Sequence, residues 1–164
     1  MKTLLKPLLP LLVAGLVIAG CGGDDKDDAP SVSAGITEVT RQVLAQSTAT
    51  TAPGQSVELT RVIIPAKQSL AAHTHPGPQL AIIEEGTLTY TIIKGSVQVT
   101  RAAGTSGAKT ETASAGQTVE LKAGDSLIET PGMEHEAKNN TDKAIVIYLS
   151  SLFPQGAPPS SPVQ

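Results

Sequence analysis

Three histidines make up the whole imidazole complement of this 164-residue chain, and they fall in two short segments. His73-Thr74-His75-Pro76-Gly77-Pro78-Gln79 carries two of them. Thr130-Pro131-Gly132-Met133-Glu134-His135-Glu136-Ala137-Lys138-Asn139 carries the third. In an extended strand successive side chains alternate faces, so His73 and His75 point the same way across one intervening residue. Imidazole is the commonest protein ligand for divalent transition metals, and two on one strand face form half a site. A Pro-Gly-Pro turn then brings Gln79 close enough to offer its side-chain carbonyl oxygen, and His135 supplies a third nitrogen from a distant strand. The expected ligand set is His73, His75, Gln79 and His135. Thr74, Glu134 and Glu136 alternate to the opposite face, which leaves no catalytic acid or base assigned.

The elements that must position these residues read as short strands separated by turns. Glu38 to Gln46 alternates, although a short helix also fits there. Ser56 to Ile64 is rich in Val, Thr and Ile and is closed by Pro65. Ser69 to His75, Gln79 to Glu84 and Thr87 to Ile93 follow, and Lys94-Gly95 turns into Ser96 to Arg101. The Gly-, Ala-, Ser- and Thr-rich stretch 102–116 reads as a mobile loop or irregular hairpin. Thr118 to Lys122, Asp125 to Glu129, Glu134 to Lys138 and Lys143 to Ser150 complete the set. Alternation puts Ala81 and Ile83 on the face of Gln79, so the floor beside the histidines is small and aliphatic. Many short strands with frequent turn signals indicate an all-β sandwich or barrel.

Both histidine segments are similar to the two motifs of the cupin superfamily. His73, His75, Gln79 and Gly86 fit the first, and Gly124, Thr130, Gly132, His135 and Asn139 fit the second. The resemblance implies a single-domain cupin-type jelly-roll β-barrel holding one divalent metal inside, and a homodimer. The chain departs from the pattern in three places. Gln79 stands where the family usually has Glu, Thr130 replaces a Pro, and Lys67 sits where a Gly opens the first motif. The last two concern turn geometry; the first removes the anionic ligand.

Met1 to Gly20 reads as a targeting segment, with Lys2 and Lys6 ahead of an apolar run too short to span a bilayer. It ends Val17-Ile18-Ala19-Gly20-Cys21, which resembles the bacterial lipobox. That resemblance implies lipidation of Cys21 and a periplasm-facing place in the cell envelope, at the outer membrane if the cell is Gram-negative. Cys21 is the sole cysteine, so an intramolecular disulfide is excluded. The expected organisation is a signal peptide at 1–20, an acidic tether at 21–35, the barrel at 36–152 and a disordered Pro-rich tail at 153–164.

Without residues 1–20 the chain carries ten basic against fifteen acidic residues, a net −5. That balance, with Tyr90, Tyr148 and Phe153 as the only aromatics, excludes a nucleic-acid interface. Three imidazoles and an amide would leave a divalent ion's charge uncompensated, which weakens binding and strengthens Lewis acidity. Iron, manganese, zinc, nickel and copper all suit such a site. Two functions stand: a dioxygenase for a small oxygen-rich molecule, and a non-catalytic module binding a metal or small ligand.

Overall fold

Period-two alternation decides which side of each strand is buried, and it runs clearly through the central strands. The computed structural model describes residues 35–163. Those residues form twelve strands: β1 (Thr40–Thr48), β2 (Gln55–Ile64), β3 (Ser69–Thr74), β4 (Gln79–Glu85), β5 (Thr87–Lys94) and β6 (Ser96–Arg101), then β7 (Lys109–Ser114), β8 (Thr118–Lys122), β9 (Ser126–Glu129), β10 (Glu134–Lys138), β11 (Ile145–Pro154) and β12 (Ser161–Pro162). In β4, Gln79, Ala81 and Ile83 are buried while Leu80, Ile82 and Glu84 are exposed, as the sequence leads one to expect.

Two antiparallel sheets result, one of seven strands in the order β1-β2-β11-β4-β9-β6-β7 and one of five in the order β12-β3-β10-β5-β8. Eight of these strands make the frame, β2-β11-β4-β9 facing β3-β10-β5-β8. Along that frame the chain changes sheet at every step from β2 to β5 and again from β8 to β11, which is the double-sheet arrangement of a jelly roll. The fold is thus an all-β jelly-roll barrel. Between the sheets lie Ile64, Ile83, Ile92, Val97, Val99, Leu121 and Ile145, each at most 1% exposed. Side chains of this size contribute about 1.5–3 kcal/mol apiece when fully buried.

The segment from Glu38 forms a strand, and a bulge between Val43 and Ala45 interrupts its alternation. The stretch 102–116, expected to be mobile or irregular, contains a regular strand, because β7 pairs with β6 residue for residue from Lys109 to Ser114. Cross-strand side chains support that pairing: Thr100 bonds Thr110, and Arg101 bonds Glu111. Only Ala113 is buried in β7, so the strand carries little apolar signal.

The segment from Phe153 was expected to be disordered, and the structure differs. Strand β11 runs on to Pro154 with Phe153 buried, and β12 pairs with Thr74 and His73 at the edge of β3. Proline lacks an N–H but keeps its carbonyl, so a Pro-rich segment can still accept hydrogen bonds from the barrel. The signal-peptide and tether expectations, Cys21 included, lie outside the described residues.

Candidate metal centre

Each histidine reaches the interior through a local device. His73 and His75 come from the end of β3, and the turn that follows is tight. A Cβ on Gly77 would overlap the Leu152 carbonyl, so only glycine lets the chain pass β11 and return as β4 with Gln79 facing in. His135 is delivered by the turn Thr130-Pro131-Gly132-Met133. Pro131 takes its second place, Gly132 holds φ of 78° at its third, and Met133 N–H bonds the Thr130 carbonyl at 3.2 Å. His135 then lies directly opposite His73 in the β10–β3 ladder.

The structure therefore brings His73, His75 and His135 together. One ring nitrogen from each lies within 4.8 Å of the others. Ring centroids are 5.0 Å apart for His73–His75, 4.3 Å for His73–His135 and 5.2 Å for His75–His135. Two of the rings are pinned by carbonyls, which can only accept. His73 Nδ1–H donates to Ala71 O and His75 Nδ1–H to Pro159 O, both at 2.7 Å. Each bond turns the other ring nitrogen, Nε2, towards the cluster with its lone pair in the neutral ring, the arrangement by which proteins fix imidazole ligands. His135 Nδ1 is buried without a hydrogen-bond partner. Phe153 stacks on His75 and Tyr90 on His135, with centroids 5.9 and 4.9 Å apart. Three imidazoles so gathered and oriented fit a divalent transition metal.

Gln79 is also present, but not as expected. Its Nε2 lies 3.2 Å from His75 Nε2 and donates to Glu129 Oε2 at 2.8 Å, while its Oε1 is buried without a partner. A carboxylate can only accept, so it draws the amide nitrogen rather than the carbonyl oxygen towards it. Glu129, on β9, is the residue that sequence reasoning missed. It is 4% exposed and accepts from Tyr90 OH on Oε1 at 2.8 Å. Its Oε2 stands 3.2 Å from His75 Nε2 and its Oε1 stands 3.3 Å from His135 Nε2. The expectation of a neutral centre is corrected accordingly: a carboxylate is present, supplied by the strand next to Gln79. Glu134 and Glu136 face away, Glu134 reaching Lys94 at 3.1 Å.

Burial lowers the basicity of His73 and takes His135 down to about 4. At His75 burial acts the same way, but the hydrogen bond and charge of Glu129 carry its pKa above the usual histidine value. Burial also works against the Glu129 carboxylate, yet the hydrogen bond with His75 and the charges of His135 and His75 hold it well below the usual carboxylate range. Burial and the neighbouring Glu129 both raise Tyr90, which keeps its phenol protonated as a donor.

The cluster opens on a cavity of about 350 Å³. Its wall is mostly aliphatic, with Val62, Leu70, Ala81, Ile83, Leu127 and Leu149 among the lining residues. Arg41 lines the same cavity and is held by Glu58 at 2.8 Å and Thr60 at 3.3 Å.

Neither a protein-family model nor a curated protein matches the chain. Solved structures do. A cupin superfamily protein from Desulfitobacterium hafniense shares 15% identity over 71% of this chain and 79% of that one, with a TM-score of 0.49. A cupin 2 domain-containing protein from Halorhodospira halophila shares 10% identity over 77% of this chain and 71% of that one, also with a TM-score of 0.49. These are likenesses of fold, and the jelly-roll assignment itself stands on the strand order and register above.

Proposed function

We propose that this chain holds one divalent transition metal on His73, His75 and His135 and binds a small organic molecule beside it in the barrel. The observation that carries this reading is the convergence of three imidazoles, two of them pinned by backbone carbonyls, on a half-open, largely apolar cavity. A cavity of about 350 Å³ suits a small ligand, since such sites run from roughly 300 to 1,000 Å³. A bound metal would supply Lewis acidity and, if it is iron or copper, one-electron chemistry with dioxygen. The chain's own residues do the rest. The imidazoles orient, the aliphatic wall excludes water, and Arg41 offers a cation to an oxygen-rich ligand.

The catalytic form of this reading is a dioxygenase acting on a small oxygen-rich or dicarbonyl compound. The other form is a non-catalytic binding module. What favours it is that both oxygens of Glu129 are engaged, by Tyr90 and Gln79, so no free acid or base faces the cavity from that carboxylate. Elemental analysis of the purified chain tests the centre. About one metal per chain, lost in a His73, His75, His135→Ala variant, is the expected result, and no metal after reconstitution would sink the reading. Oxygen uptake with diketone, flavonol and thiol panels then separates the two forms, because a binding module consumes none.

The same proposal places the barrel at the membrane surface, tethered through a lipid on Cys21. Cys21→Ser should move the protein from the membrane fraction to the soluble fraction. If both forms partition alike, the anchor is not at that residue.

A further inference from the structure

We propose that Glu129 is the anionic ligand of this centre and that Gln79 is the clamp that aims it. The proposal rests on the reading that the three imidazoles hold a metal. It begins with a buried charge. Glu129 is 4% exposed, and an ionised carboxylate taken out of water is costly unless positive charge or several donors meet it. Each of its oxygens has one neutral donor, Tyr90 OH on Oε1 and Gln79 Nε2 on Oε2, both at 2.8 Å. Each oxygen also faces one imidazole Nε2, at 3.3 Å for His135 and 3.2 Å for His75.

The His75 contact is informative because its Nδ1 already donates to Pro159 O. In the neutral ring Nε2 then carries a lone pair, with the Gln79 amide nitrogen and the Glu129 Oε2 each 3.2 Å from it, so an imidazole, an amide and a carboxylate converge at this point. A single ion between the imidazole and the carboxylate, a proton or a metal cation, meets both. Donor atoms each about 2.1 Å from one ion, at right angles, lie about 3 Å apart, close to the two separations observed.

Strand register explains the partnership. Gln79 on β4 and Glu129 on β9 are direct cross-strand partners, on a rung where both side chains are buried. A carboxylate at position 79 would stand against Glu129 with like charge, whereas an amide donates an N–H and holds the acid in place. The anion therefore sits one strand over from where the resemblance of the first segment implies it, and the neutrality of Gln79 fits that arrangement. With Glu129 included, one of a divalent ion's two charges is compensated.

The test is Co²⁺ titrated into the chelator-stripped full chain, read as a dissociation constant by competition and as the visible absorption of the bound ion. Wild type should bind one Co²⁺, and His135→Ala should not. Glu129→Gln should bind about 100-fold more weakly with a changed absorption band, since loss of a ligand costs at least what loss of its supporting partner does. Glu129→Asp keeps the charge but withdraws the oxygens by one methylene, so it should also shift the band, and it serves if Glu129→Gln fails to fold. Unchanged affinity and absorption in a folded Glu129→Gln or Glu129→Asp variant would overturn the proposal and leave the three-imidazole centre standing. Absence of Co²⁺ binding in wild type would overturn both.

Discussion

Lys67 holds φ at 62°, in the left-handed region that costs a residue with a Cβ about 1–2 kcal/mol. Its ammonium reaches Asn140 O at 2.9 Å and Asp142 at 2.8 Å, but these groups are largely exposed and such pairs contribute little. Lys67→Gly is therefore expected to raise stability by up to about 1 kcal/mol in urea unfolding, and a loss of stability would show that the ion pair outweighs the strain. At this scale His73 and His75 were legible because their spacing puts them on one strand face, and His135 because its segment resembles the second motif of a known family and no other histidine competes for the role. Gln79 was legible as a site residue but not in its orientation, which depends on a neighbour contributed by another strand. Glu129 was not legible. Leu127 and Ile128 are adjacent and both apolar, so either face of β9 could have been the inner one. The barrel takes Leu127, at 3% exposed, and leaves Ile128 at 39%, which turns Glu129 inward.

Among the elements, the C-terminal strap does most to shape the site. Pro159 O accepts from His75, Ser161 and Pro162 pair with β3, and Val163 N–H bonds Ala72 O at 3.2 Å. Deleting residues 158–164 removes the acceptor that orients His75 and opens one wall of the cavity. Metal affinity should fall about 10- to 100-fold, as measured by chelator competition, since that is the usual cost of losing a partner that supports an imidazole ligand. Affinity unchanged by the deletion would mean that β3 alone orients the ring. This strap is not legible in the sequence because a proline-rich stretch carries no strand pattern, whereas here the Pro159 carbonyl serves as an acceptor. Inward alternation did continue through Ile147, Leu149, Ser151 and Phe153, but the serines at 150 and 151 masked it. Asn139 shows the opposite case. Its place in the second segment marks a clamp rather than a ligand, for its amide bonds Ile64 O, Pro65 O and Lys143 O from a fully buried position.

For the whole molecule, the strand count and turn density gave the all-β class, while the order of strands across two sheets depends on long-range pairing that no local pattern encodes. That order leaves an apolar row on the outer face of the larger sheet. Leu59, Leu80 and Ile128 lie along one register line with Ser150 between the first two, at 42%, 49% and 39% exposed. Light scattering is expected to find a dimer joined through this face, which Leu80→Lys converts to a monomer; a monomeric wild type would remove the expectation.

The sheet edges are treated differently from that face. A bulge bends β1, Lys109 and Glu111 charge β7, Glu120 and Lys122 charge β8, and the two-residue β12 ends in a proline that cannot donate. Such edges are poor templates for strand addition by another chain. Many copies crowded onto one surface would thus have a route to association through side chains but little route to fibril growth through their backbones.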